Sequence, residues 1–145
     1  MATWQGFLRE ARRFWEVARS AAGFGYANQA VSNAAHAATA ASDALCLFLI
    51  RERPQGRSHV EAARMLTRAC KATEWERDVA QHAQQLVAIL QQKSASEYHG
   101  RVLDADAADR VMKQAERFLA WAEEVLPNLD AAHLDVADPE SGPPA

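Results

Sequence analysis

Arginine and histidine crowd one point of the chain, at Arg51, Arg53, Arg57 and His59. Five residues separate Arg53 from His59. These two residue types suit RNA cleavage without a metal. Histidine moves protons near neutral pH. Arginine holds the scissile phosphate and stabilises the negative charge that develops on it. The RNA 2′-hydroxyl is then the attacking group, and no protein nucleophile is needed. The same residues also suit a structural role, with cations at a helix C-terminus and a histidine in the next helix's first turn.

A second polar set is Ser32, His36, Thr39 and Asp43, spaced four, three and four apart. On a helix that spacing makes one continuous stripe. Such a stripe is either a ligand-facing surface, where Asp43 could orient a histidine, or an internal polar seam whose members satisfy one another. A third set, Lys93, Glu97, Tyr98, His99 and Arg101, lies in a polar stretch. Tyr98 reads as a packing residue with a hydrogen-bonding hydroxyl, and the charges around it as solvated. His82 and His133 stand alone. No His/Cys spacing matches a zinc site, and glycine-rich phosphate loops, HExxH and GxSxG are absent. No metal or cofactor is expected.

The elements that must carry these residues are helices. The first is expected over residues 3–22, with Thr3 as N-cap. Trp4, Phe7, Leu8, Ala11, Trp15 and Ala18 form its apolar face. Gly23 and Gly25 end it. The second spans 26–52 and holds the polar stripe among alanines. Its apolar run from Ala44 to Ile50 is expected to be deeply buried. Pro54 opens a loop. Ser58 with Glu61 makes a capping box for a third helix over 59–71. Thr73 with Glu76 makes another for a fourth over 74–92 or beyond. A polar connection over 93–102, with a helical start as the alternative, leads to a fifth helix over 105–126, capped by Asp104 or Asp106 and ended by Pro127.

Composition points the same way. Alanine accounts for 32 of 145 residues, against five prolines and six glycines. Alanine favours helices and is depleted in strands. The fold class expected is all-α, an up-and-down bundle of four to five helices over residues 1–126. The net charge of −3 sits unevenly. Residues 127–145 carry four acids and no base, so they read as a disordered acidic tail. The body is near neutral, which excludes a strongly basic nucleic-acid binder but leaves room for a local phosphate site. Cys46 and Cys70 read as buried free thiols. No secretory leader is evident, and no stretch reaches the ~18 apolar residues of a membrane span. A cytoplasmic protein without membrane contact is expected.

Several segments in this order resemble the HEPN domain (higher eukaryotes and prokaryotes nucleotide-binding). They are FLREARRFWEVA, AAHAATAASDALCLFLIRER, RSHVEAARML, KSASEY and DADAADRVMKQAERFLAWAEEVL, together covering about residues 7–126. The chain is most similar to short stand-alone bacterial members. The resemblance implies a helical bundle that forms homodimers. It implies either a metal-independent endoribonuclease of toxin–antitoxin or phage-defence systems, or a non-catalytic module. The module would bind nucleotide, RNA or a protein partner such as a minimal nucleotidyltransferase. In the nuclease members an arginine, four to six residues and a histidine form the motif, and a polar residue usually follows the arginine. Arg53 and His59 meet that spacing, with Pro54 after the arginine. On this basis Arg53 and His59 are the expected catalytic pair, and His36, Asp43, Arg57 and Tyr98 are expected to support the site.

Overall fold

A computed structural model describes residues 2–55, 58–98 and 102–129, with residues 95, 96 and 98 by backbone alone. Among the described residues there are five α-helices: α1 (Trp4–Gly23), α2 (Ala27–Ile50), α3 (His59–Cys70), α4 (Glu76–Tyr98) and α5 (Ala105–Val125). They form the all-α bundle that the alanine content and periodicity imply.

Local chemistry sets most helix ends. Thr3 Oγ1 accepts from the Gly6 amide at 3.0 Å and starts α1. At its far end the Phe24, Gly25 and Tyr26 amides bond back to carbonyls of the last turn. Gly25, at φ +79°, supplies the left-handed residue that turns the chain into α2. Ser58 Oγ accepts from the Val60 and Glu61 amides at 3.2 and 3.3 Å, which starts α3. Asp104 does the same for α5 through the Ala107 amide at 2.7 Å.

The start of α4 differs from expectation. Thr73 Oγ1 donates to the Cys70 carbonyl at 2.6 Å and accepts from the Trp75 amide at 3.2 Å. Glu76 reaches back to the Ala72 amide at 2.8 Å, not to the Thr73 amide. Ala72 is left-handed, at φ 63°. The helix therefore begins at Glu76, two residues later than expected. At its other end α4 continues through Tyr98, so Lys93 and Glu97 lie on a helix and not in a connection.

α2 is the centre of the bundle and packs on all four other helices, most extensively on α1. Twelve of its 24 residues are buried, and eight of those are alanine. Small side chains let the neighbouring backbones come close, and larger residues on those helices fill the space. Leu8, Leu66, Leu86, Ile89 and Phe118 are fully buried against it. The burial does not persist through Ile50 as expected. Ala44, Leu45 and Cys46 are buried, but Phe48 is exposed and meets Trp4 edge-on, with ring centroids 5.5 Å apart. α2 is also long and apolar enough to cross a membrane by length and composition, contrary to the sequence reading. More than half of that apolar window is buried by the other helices, as in the core helix of a bundle.

Cys46 and Cys70 are buried and free. Burial pushes their thiols up, to about 12 and about 11, so both remain protonated and unreactive. Leu126 and Leu129 pack into the core, which carries the ordered body past Pro127 into the segment expected to be tail. Residues 130–145, with His133, lie outside the described residues.

Close packing around alanine leaves no room for growth. Ala38→Leu should destabilise the fold by about 1–3 kcal/mol through overpacking. Phe118→Ala should cost about 3–5 kcal/mol through the opposite fault, a cavity. Denaturant unfolding measures both, and a neutral Ala38→Leu would contradict the packing described.

Candidate functional site

The polar stripe of α2 faces the polar edge of α4. Ser32 Oγ donates to Glu97 at 3.0 Å. Glu97 pairs with Lys93 one turn earlier, at 3.8 Å. His36 lies next to this pair and stacks on Phe14, with ring centroids 5.1 Å apart. Burial, and then the Lys93 cation, hold its imidazole below the usual histidine range, opposed by Glu97. The first half of the stripe is therefore a seam between helices.

The second half opens into a cleft of about 420 Å³ between α2, Pro54, α3 and α4. Thr39, Ser42 and Asp43 form its α2 wall. Ser58 and His59 enter from the start of α3, and Lys93 and Ser94 from α4. His59 occupies the first turn of α3 because Ser58 caps that helix. Its Nε2 lies 3.4 Å from Ser94 Oγ. Leu86, Leu90 and Ala62 close the apolar side. The cleft thus combines a carboxylate, an imidazole, an ammonium and several hydroxyls.

Asp43 is the most perturbed acid in the cleft. Burial pushes its carboxyl up to about 6, opposed by the nearby Arg53 guanidinium. Arg53 Nη1 stands 3.8 Å from Asp43 Oδ2. Its guanidinium also lies over the Phe7 ring, 4.7 Å from the centroid. The backbone turns sharply just before it, where Arg51 caps α2 in the left-handed region at φ 58°. Arg53 therefore reaches the cleft at its edge, through Asp43, and does not line it.

Ser42 carries the other unusual group. It is 2% exposed, and its hydroxyl meets no oxygen or nitrogen partner among the described residues, only the Cys46 thiol one turn on, a weak partner.

The expected site residues are thus divided. Asp43 and His59 share one cleft, with Arg53 at its edge. Asp43 meets Arg53, not the histidine it could have oriented. His36 stacks on Phe14 of α1, beside the α2–α4 seam, and does not line the cleft. Arg57, His99, Arg101 and the Tyr98 side chain lie outside the described residues. Sequence reasoning passed over Ser42 and Ser94, and it read Lys93 and Glu97 as solvated loop charges. The four-residue spacing of Lys93 and Glu97 was the available signal that they share a helix face.

A second cavity, of about 430 Å³, lies between the end of α1 and α5, with Trp15 and Met112 in its walls. It contains none of the expected site residues.

The family model for the HEPN domain matches residues 4–125. The chain belongs to the HEPN family. No curated protein matches it. Within an HEPN domain the pairing of Arg53 with Asp43 and Phe7 is informative. Pro54 follows Arg53 and lines the cleft, so the position where nuclease members usually carry a polar group presents an apolar ring.

The raised carboxyl of Asp43 makes stability depend on pH. Its folded value of about 6 lies above the ordinary 3.8. The folded chain therefore takes this proton more readily than the unfolded one. The stabilising contribution is complete below about pH 4 and is lost as pH rises through about 6. At about 1.4 kcal/mol per pH unit, wild type should gain about 2–3 kcal/mol relative to Asp43→Asn between about pH 7 and about pH 4. Paired denaturant titrations at the two pH values measure this. A difference that does not vary with pH would contradict the burial assigned to Asp43.

Proposed function

We propose that this HEPN protein is an endoribonuclease that uses the 2′-hydroxyl of its substrate as nucleophile. The observation that carries this reading is the convergence of His59, Asp43 and Lys93 on one cleft. Cleavage of RNA by this route needs three things. A proton must leave the 2′-oxygen as it attacks phosphorus. Negative charge must be stabilised on the phosphate. A proton must reach the 5′-oxygen as its bond to phosphorus breaks. Among the described residues Lys93 is the cation lining the cleft, and Arg53 is a second at its edge. His59 is placed to move the leaving-group proton. Asp43, a carboxylate whose proton affinity burial has raised, is placed to accept the proton of the 2′-hydroxyl. The products are a 2′,3′-cyclic phosphate and a 5′-hydroxyl. The setting that fits such an activity within this family is a toxin–antitoxin or phage-defence system, with the protein acting as a homodimer.

One observation favours a second reading. Arg53 is engaged by Asp43 and Phe7, and Pro54 follows it. In that case the cleft holds a nucleotide or RNA phosphate without cutting it, and a protein partner such as a nucleotidyltransferase supplies the activity.

Incubating the purified chain with single-stranded and structured RNAs, with and without EDTA, separates the two. The nuclease reading expects cleavage that survives the chelator, leaves cyclic phosphate ends and falls at least ~100-fold in His59→Ala. Intact RNA, with saturable binding that weakens in Lys93→Ala, would replace it by the binding module.

A further inference from the structure

We infer that the open groove between α3 and α4, separate from the cleft, is the docking site of this chain's own acidic segment beyond Leu129. Leu134 and Val136 lie against its apolar floor, and the carboxylates around them meet its cationic rim.

The groove has a volume of about 720 Å³. Val79, Ala80 and Val87 of α4 form its floor with Val60 and Ala63 of α3. Val60 is 53% exposed, a branched apolar side chain left uncovered at a helix start. The rim sets Arg64, Arg68 and Lys71 against one acid, Glu76. Glu76 is turned to the Ala72 amide, and Arg68 is shared with Glu52. Arg64 and Lys71 make no ion pair among the described residues. An apolar floor under surplus positive charge fits an occupant that is both apolar and acidic. The cavity between α1 and α5 has no such bias, because Asp109 and Glu116 balance Arg19 and Lys113.

The sequence after Leu129 has that composition. Asp130, Asp135, Asp138 and Glu140 surround Leu134 and Val136, with no lysine or arginine among them. It also leaves the bundle at the right end. His82 of α4 stacks on Trp121 of α5, with ring centroids 4.2 Å apart. Both lie equally far along their helices from the short connection between Tyr98 and Ala105. The two helices are therefore antiparallel, and the last turn of α5 stands beside the first turn of α4. Leu126 and Leu129 are buried just past that last turn, and Glu76 and Val79 of that first turn line the groove. Leu134, five residues past Leu129, has a reach of about 17 Å from it. The groove side of α3 from Lys71 to Val60 is about 16 Å long, which about five extended residues span. The α1–α5 cavity instead begins at Ala105 and Ala108, at the opposite end of α5. Docking here bears on the cleft through one pair of neighbours. His59 lines the cleft and Val60 lines the groove, so a segment held on Val60 braces the turn that presents the imidazole.

Spin labelling of the full chain tests this. Cys46 and Cys70 are buried and protonated, so a thiol-reactive nitroxide goes to the thiol introduced by Ser141→Cys. The methyl NMR signals of Val60 and Val87 should then be lost, and should return when the nitroxide is reduced. Met112, in the α1–α5 cavity, should keep its signal. Reversing the rim with Arg64→Glu and Lys71→Glu, at two exposed positions, should restore the Val60 and Val87 signals. Adding Asp135→Lys and Asp138→Lys should remove them again. Leu134→Asp with Val136→Asp, which leaves the helices untouched, should also restore them. Val60 and Val87 signals that survive the label would overturn the inference, and so would a loss spread evenly over the bundle or centred on Met112. Rim and segment variants that leave the loss unchanged would do the same. A mixture of isotope-labelled chain without nitroxide and nitroxide-labelled chain without isotope reads contacts between copies. Loss of the Val60 and Val87 signals in that mixture would assign the groove to a second copy's segment and overturn docking within one chain.

Discussion

The close approach of α1, α4 and α5 to the alanine faces of α2 is the constraint on which the rest of this structure depends. An alanine side chain projects one methyl group, so the facing helix settles against near-bare backbone. That brings polar atoms on α2 within reach of polar atoms on α4. Ser32 could not meet Glu97, nor could Thr39 and Asp43 share a cleft with Lys93 and Ser94, if bulky residues held the two helices apart. The apolar packing and the polar site are products of the same interhelical distance.

Burial on α2 also sets the character of the site. Asp43 sits where water is scarce, which raises its proton affinity, and Arg53 limits that rise from the edge. Phe7 holds the guanidinium from the other side. The Arg53 side chain is nearly half exposed, with its planar fork facing the carboxylate at 3.8 Å and its flat surface over a ring. Engaging a phosphate would require Arg53 to exchange one anion for another. Lys93 pairs with Glu97 along its own helix, also at 3.8 Å, and it lines the cleft itself.

Much of the fold was legible in the sequence, because helix starts are local chemistry. Thr3, Ser58 and Asp104 act within three residues of themselves, and each caps as its type predicts. The start of α4 was misread because Thr73 bonds Cys70 and Trp75 while Glu76 serves Ala72, a choice decided by the left-handed Ala72. The end of α4, open in the sequence at residue 92 or beyond, was undecided for a different reason. KSASEY is polar, and polarity reads as loop when the partner surface is unknown. Its polar face turns out to match the stripe on α2. For the site, two residues that spacing singles out, Asp43 and His59, line one cleft. Spacing could not show that Asp43 would meet Arg53, since that pairing depends on the left-handed turn at Arg51. Ser42 carried no signal at all, because one serine among alanines says nothing about whether its hydroxyl finds a partner.

The cleft takes its walls from residues far apart in the chain, from Thr39 on α2 to Ser94 on α4, and Phe7 on α1 steadies its edge. The hairpin of α1 and α2 is local and can form early, as helical contacts close in sequence do. It carries Asp43 but neither the imidazole nor the ammonium. The imidazole arrives with α3, and the ammonium only when α4 docks, more than ninety residues into the chain. A nascent or partly unfolded chain therefore displays an acid without its partners. Chemical competence at this site is a property of the completed bundle, which ties any activity to the last steps of folding.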